Sequence, residues 1–304
     1  MRIAKPLLFL AACIAPAAAL AGDPSELLRK AEAADRNVSY RGMKAASFYF
    51  AGHMGHAALK IVHLKPDKTR TEYFSPKILA GIVLIRDGAK SWRYSPQEDT
   101  WEETGFRPTF TEGAIERGAF DNFQLRLVGT EQVAGRQTYI ILAAPRSDGE
   151  AAHRLWVDKE VYLIIATEVE APNGSVVNSS RFTTITVNPD DISPSAFKVN
   201  GKVKPVSPPS PVGFIVAKPS YLPKGYALVG QATLTVNGRS CAHLQFSNGA
   251  NTISLFQRTA GGEKPKVMRS SITQVLCWKR EGILYTLMGD VPSAELRKIA
   301  DSIR

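Results

Sequence analysis

Between Tyr40 and Val187 the chain repeats one pattern: short β-type runs cut apart by turn residues. Lys65-Pro66-Asp67, Asp87-Gly88 and Ala171-Pro172-Asn173-Gly174 are three of these breaks. Short strands joined by tight turns pair antiparallel with their sequence neighbours. The pattern therefore constrains this region to one large antiparallel sheet of about ten strands. The expected strands are 47–50, 58–64, 69–74, 82–86, 90–94, 123–133, 137–143, 154–157, 163–170 and 175–187. A helix should precede them. Asp23 can cap it, Pro24 suits its first turn, and Leu27, Leu28, Ala31 and Ala34 share one face. A helical turn is expected within 111–120. A curved sheet of this size must cover an apolar face, either with helices or with a ligand.

The pattern stops at a proline cluster. Eight of the 19 prolines fall between Pro189 and Pro223. Within that span, residues 198–212 lack apolar periodicity, and Pro208-Pro209-x-Pro211 favours extended polyproline structure. This reads as a semi-rigid linker between two domains, 22–197 and 213–304. The second domain is expected to be α+β. Its strands should be 226–236, 240–247, 252–257, 272–279 and 283–288, with turns at Asn237-Gly238 and Asn248-Gly249. A closing helix over 292–303 would put Leu296, Ile299 and Ile303 on one face, with Asp290 or Ser293 as its cap. The fold class is thus α+β: a large, half-open antiparallel barrel or curved sheet, plus a smaller domain.

Residues 1–21 read as an export signal. Arg2 and Lys5 precede an apolar run, and Ala19-Leu20-Ala21 offers a cleavage site after Ala21. Leu10-Ala11-Ala12-Cys13 also has the form of a lipobox. The apolar stretch before Cys13 is short and the run continues past it, which favours soluble export to the periplasm over lipidation. No later stretch approaches 18 uncharged apolar residues, so no transmembrane helix is expected in the mature chain. In an oxidising compartment Cys241 and Cys277 can pair across a loop of about 36 residues, or remain as two buried thiols.

Charge is uneven. Residues 213–304 carry twelve basic and five acidic groups, net +7, whereas 22–197 carry net −2. A basic domain suits an acidic protein segment, phosphorylated lipid headgroups or an anionic membrane surface. Export and the lack of interleaved aromatics argue against nucleic acid.

Catalytic signals are missing. There is no Gly-x-Ser-x-Gly elbow, no Gly-x-Gly dinucleotide loop and no Walker loop. His53-Met-Gly-His56, with His63 beyond it, reads as a polar turn between strands and not as a metal site. Glu98-Asp99 and Glu102-Glu103 around Trp101 read as a solvated loop. The expectation is a binding protein, not an enzyme, without cofactor or metal.

Several segments resemble the RseB/MucB family. In the first domain these are Tyr40-Arg-Gly42, Asp87-Gly88 before Trp92-x-Tyr94-x-Pro96, and Val133-Ala-Gly-Arg-Gln-Thr-Tyr139. Arg154-Leu-Trp-Val-Asp-Lys-Glu-Val-Tyr-Leu163 follows, then Glu168 and Gly174 before Phe182. In the second domain they are Leu222-Pro-Lys-Gly225, Leu244-Gln-Phe-Ser-Asn-Gly249, Ile253-Ser-Leu-Phe256 and the run from Trp278 to Gly289. The resemblance implies a large domain like the lipoprotein carriers LolA and LolB. It also implies a periplasmic regulator that binds the periplasmic part of an anti-sigma factor of the RseA/MucA type and shields it from proteolysis. Lipid or lipopolysaccharide-like ligands would lift that protection. The alternative is a lipid or lipoprotein carrier of the LolA/LolB type. A homo-oligomeric state stays open, and no motif places lipid or partner contacts on particular residues. Trp156 is expected to pack within the sheet.

Overall fold

The structure is a computed structural model describing residues 22–50, 53–104, 120–146, 149–204, 211–236, 239–261, 268–269, 274–289 and 291–303. The export segment 1–21, Cys13 included, lies outside these residues, as do Asn237-Gly238, Asp290 and all but Phe120 of the expected turn at 111–120.

The chain begins with α1, Pro24–Asn37. Asp23 caps it as expected, its Oδ1 accepting from Ser25 N at 3.1 Å. Eleven strands follow: β1 Tyr40–Phe50, β2 His53–Leu64, β3 Lys68–Ser75, β4 Val83–Asp87, β5 Lys90–Ser95, β6 Thr100–Thr104, β7 Phe123–Val133, β8 Arg136–Pro145, β9 Ala152–Asp158, β10 Ile164–Glu170 and β11 Val176–Val187. They form one sheet in the order β6-β5-β4-β3-β2-β1-β11-β10-β9-β8-β7. Two antiparallel meanders, β1–β6 and β7–β11, are therefore sewn together where β1 pairs with β11. The edges β6 and β7 do not pair with each other, so the sheet stays open.

Helix α1 lies across the seam. Leu27, Leu28 and Ala31 pack on Phe123, Ile141, Leu155 and Val157 of the second meander. Ala34 shares a cluster with Tyr40, Leu59, Ile61, Ile165 and Phe182, which reaches into the first meander. The far end of the helix is pinned by polar contacts. Tyr40 Oη donates to Asp35 Oδ1 at 3.0 Å, and buried His63 sets Nε2 2.6 Å from the Asp35 carbonyl. His63 also places Nδ1 2.9 Å from Thr69 Oγ1 and stacks on Tyr40. It is a core histidine with both ring nitrogens engaged, and burial keeps its pKa below the ordinary value.

Three expectations need correction. Strand β1 begins at Tyr40, not at 47. Tyr40-Arg-Gly-Met lacks a β-branched run, but pairing with β2 on one side and β11 on the other overrides weak propensity. The carboxylate-rich loop is partly strand: Thr100–Thr104 is β6, with Trp101 buried and Glu102 and Glu103 exposed. The linker is also shorter than read. Trp101 N donates to Lys202 O at 2.8 Å, Lys204 N donates to Trp101 O at 2.7 Å, and Trp101 Nε1 donates to Asn200 O at 2.8 Å. Residues 200–204 thus cover the β6 edge, beside the turn Pro194–Phe197, whose Phe197 packs on Val83, Ile85 and Trp101.

The second domain is a six-stranded antiparallel sheet of β12 Ala227–Val236, β13 Arg239–Ser247, β14 Thr252–Thr259, β15 Met268–Arg269, β16 Gln274–Arg280 and β17 Ile283–Gly289. Its order is β12-β13-β14-β17-β16-β15. Helix α2, Ser293–Asp301, buries Leu296 and Ile299 against β16 and β17. Pro292 occupies the N-cap position and no side chain caps the helix, so Ser293 opens the helix and does not cap it. Buried Gln257 clamps the incoming chain to this sheet: its Oε1 accepts from Ala217 N and its Nε2 donates to Ala217 O, both at 2.8 Å. No helix among the described residues is long and apolar enough to cross a membrane.

Candidate functional site

The two sheets meet through the β13–β14 turn. Ser247 and Asn248 make that turn rigid from within. Asn248 Oδ1 accepts from Ala250 N and Asn251 N, and Ser247 Oγ donates to Asn251 O. With Oδ1 so used, Asn248 turns its Nδ2 outward to Glu150 Oε2 at 3.2 Å. Asn251 Nδ2 reaches the same oxygen at 3.4 Å. That contact leaves Asn251 Oδ1 to accept from His153 Nε2 at 2.9 Å. Ala250 packs against the large domain's core beside these groups.

His153 is 2% exposed and flanked by the rings of Phe120 and Phe123, each centred 5.5 Å away. Burial depresses its pKa from 6.5 to about 4, and the Asn251 bond opposes this only in part. Burial pushes the Glu150 carboxyl up, against its two asparagine donors. Next to it, Gly149 has φ +80° and lies against Pro292 of the small domain; a Cβ there would stand 2.5 Å from Pro292 Cγ. The arrangement is a joint. It holds two folded units in register.

A polar network also binds the strands of the large sheet. Glu131 accepts from both terminal nitrogens of Arg181 at 2.9 Å and from Trp156 Nε1 at 2.6 Å. Arg181 in turn lies over the Trp156 ring at 5.2 Å. The guanidinium holds the Glu131 carboxyl below the usual carboxylate range. Trp156 is thus a packing residue of the sheet, as expected. An open depression of about 260 Å³ is lined by Arg41, Met43, Lys60, Thr184 and Thr186, with Arg41 paired to Asp191 at 2.7 Å.

The sequence-predicted site residues are not brought together. Cys241 on β13 and Cys277 on β16 are free thiols. Strands β14 and β17 lie between them, about 14 Å across the sheet, whereas a disulfide needs Cα atoms within about 7 Å. Cys277 instead donates to Thr286 Oγ1 at 3.5 Å, and burial pushes the Cys241 thiol up. Alkylation without reductant should therefore label half-buried Cys277 in the native protein and Cys241 only after unfolding. A bridged peptide in the mass map would contradict the sheet order. His56 lies on β2, and no cluster of three metal-ligating groups occurs among the described residues.

The fold and its joint define a class first: an open antiparallel sheet covered by one helix and docked onto a small basic sheet domain. The MucB/RseB N-terminal domain family matches residues 23–201, and the MucB/RseB C-terminal domain family matches 217–304. The chain belongs to the MucB/RseB family. It is 22% identical to the sigma factor AlgU regulatory protein MucB of Pseudomonas aeruginosa, across all of this chain and 98% of that one. The fold matches the P. aeruginosa MucA/MucB complex structure with a TM-score of 0.72, at 17% identity, over 93% of this chain and 99% of that chain. It matches a crystal structure of MucB in complex with MucA(peri) with a TM-score of 0.71, at 18% identity, over 93% and 98%.

Proposed function

We propose that this protein is a periplasmic negative regulator of an envelope-stress sigma factor. In this reading residues 1–21 direct export and are removed after Ala21. The mature chain binds the periplasmic part of a single-span anti-sigma factor and protects it from proteolysis. A lipid-type ligand, such as lipopolysaccharide, ends that protection. The protein has no catalytic role.

The observation that carries the reading is the family match in both domains, in order, along nearly the whole mature chain. MucB, whose fold this chain shares, has been solved in complex with MucA. The charge distribution supports it as well, since a +7 domain favours an acidic segment.

The reading is tested by titrating the purified mature protein with the periplasmic segment of its anti-sigma factor at two ionic strengths. Between about 0.05 and 0.5 M salt the Kd should rise roughly tenfold, because screening shortens the reach of the positive field. An affinity indifferent to salt would remove electrostatics as the driver.

A further inference from the structure

Four strands end the two sheets, and three of them are guarded. Residues 202–204 cover β6. Strand β7 carries Arg126 and Glu131; its bulge between Leu127 and Gly129 has a counterpart in β12 between Leu228 and Gly230, so charge and not the bulge sets the two edges apart. Strand β15 is two residues long. Strand β12 is different. It runs ten residues, Ala227–Val236, without a charge or a proline. Leu228, Val229 and Leu234 are 42%, 43% and 38% exposed, and no described segment pairs with its outer side. Long, uncharged, exposed edges recruit another strand, and proteins that have no use for one blunt it with charge, proline or brevity.

The register shows which backbone groups face outward. Val236 pairs with Arg239 across a two-residue connection, and that closing pair exchanges hydrogen bonds with β13. Bonding alternates from there, so Leu234 and Ala232 also face β13. Thr235, Thr233 and Gln231 direct their N–H and C=O groups away from the sheet.

We infer that the β12 edge receives an extended, acidic segment of the partner as a seventh strand. Charge selects this occupant. Lys224 and Arg239 flank the uncharged strand, and the domain carries net +7. A second copy of this chain would bring +7 against +7, whereas an acidic segment neutralises the field as it docks. Strand addition gives affinity through the main chain and leaves side chains to set specificity. The inference rests on the reading that the partner is the periplasmic part of an anti-sigma factor.

Thr233→Pro is the decisive variant. Its N–H already faces away from β13, so proline removes a donor to the incoming strand without breaking the sheet. With the periplasmic segment of the anti-sigma factor as probe, the Kd of the mature Thr233→Pro protein should rise at least about tenfold. Amide hydrogen exchange on the unaltered protein gives a second readout that does not depend on the variant folding. The amides of Gln231, Thr233 and Thr235 should slow when the probe binds. Wild-type binding with those amides still exchanging, and with Thr233→Pro unaffected, would overturn the inference and leave the functional reading intact. Failure of the unaltered protein to bind the probe would overturn both. Slowing of these amides with protein concentration alone would assign the edge to a second copy and overturn the inference.

Discussion

Asp158→Ala should cost the large domain about 3–5 kcal/mol. Asp158 is 1% exposed at the end of β9, and its carboxylate serves three groups. It pairs with Arg136 through Nε and accepts from the same guanidinium's second nitrogen at 3.0 Å. Its Oδ1 also accepts from the backbone N–H groups of Glu160 and Val161, both at 2.9 Å, which shapes the turn into β10. Alanine leaves those two N–H groups unsatisfied and Arg136 with only exposed Glu160, at 2.8 Å. Asp158→Asn keeps an acceptor for the turn and loses the charge pair, so it should cost clearly less. Urea unfolding reads both variants, and equal midpoints for Asp158→Ala and the unaltered protein would refute this account of the turn.

Acid should unlock the joint. The folded protein holds His153 neutral until about pH 4, while in the unfolded chain the same group takes its proton near 6.5. The stability tied to a neutral His153 is therefore complete above pH 6.5 and is lost as pH falls from there to about 4. The loss is about 3 kcal/mol. Glu150 runs the other way. Its raised pKa makes the folded state take up a proton first, so its penalty is relieved as the pH drops. Glu295 of α2, which repels the Glu150 charge, adds to that penalty at neutral pH. Comparing His153→Gln with the unaltered protein isolates the histidine, because both acids remain. The unaltered protein should lose about 3 kcal/mol more between pH 7 and pH 4 than the variant. Parallel pH profiles would mean that the imidazole is not held neutral at the joint.

Much of the fold was legible because it is local. In β7 exposed and half-buried residues alternate between buried Phe123 and Val133, and its expected limits, 123–133, match the strand. Helix α1 carried its cap and its apolar stripe in the open. Tyr40-Arg-Gly42 was legible as a family segment, and the structure supplies its reason. A Cβ on Gly42 would stand 2.1 Å from Thr184 O, in the seam where β1 meets β11. What the sequence hid is non-local. The edge strand β6 buries Trp101 under a segment about a hundred residues away, so neither the strand nor the shortened linker had a local signal. Of the two alternatives for Cys241 and Cys277, the sheet order favours free thiols, because spacing along the chain says nothing about how many strands intervene across a sheet. The joint was missed for the same reason. Glu150 and His153 meet Asn248 and Asn251 across 98 to 101 residues, and the one local hint was the turn signal Asn248-Gly249. The exposed edge of β12 was not read from the sequence, since nothing local tells an edge strand from a central one.

The proposed role requires this chain to bind a single-span anti-sigma factor in the envelope. Crosslinking the mature protein within its own envelope fraction, with captured proteins and extracted lipids both identified by mass spectrometry, tests it most directly. One dominant inner-membrane protein with a single span and a sigma-binding cytoplasmic end should be captured. Recovery of lipids or acylated lipoproteins without any such protein would contradict that role and identify a carrier.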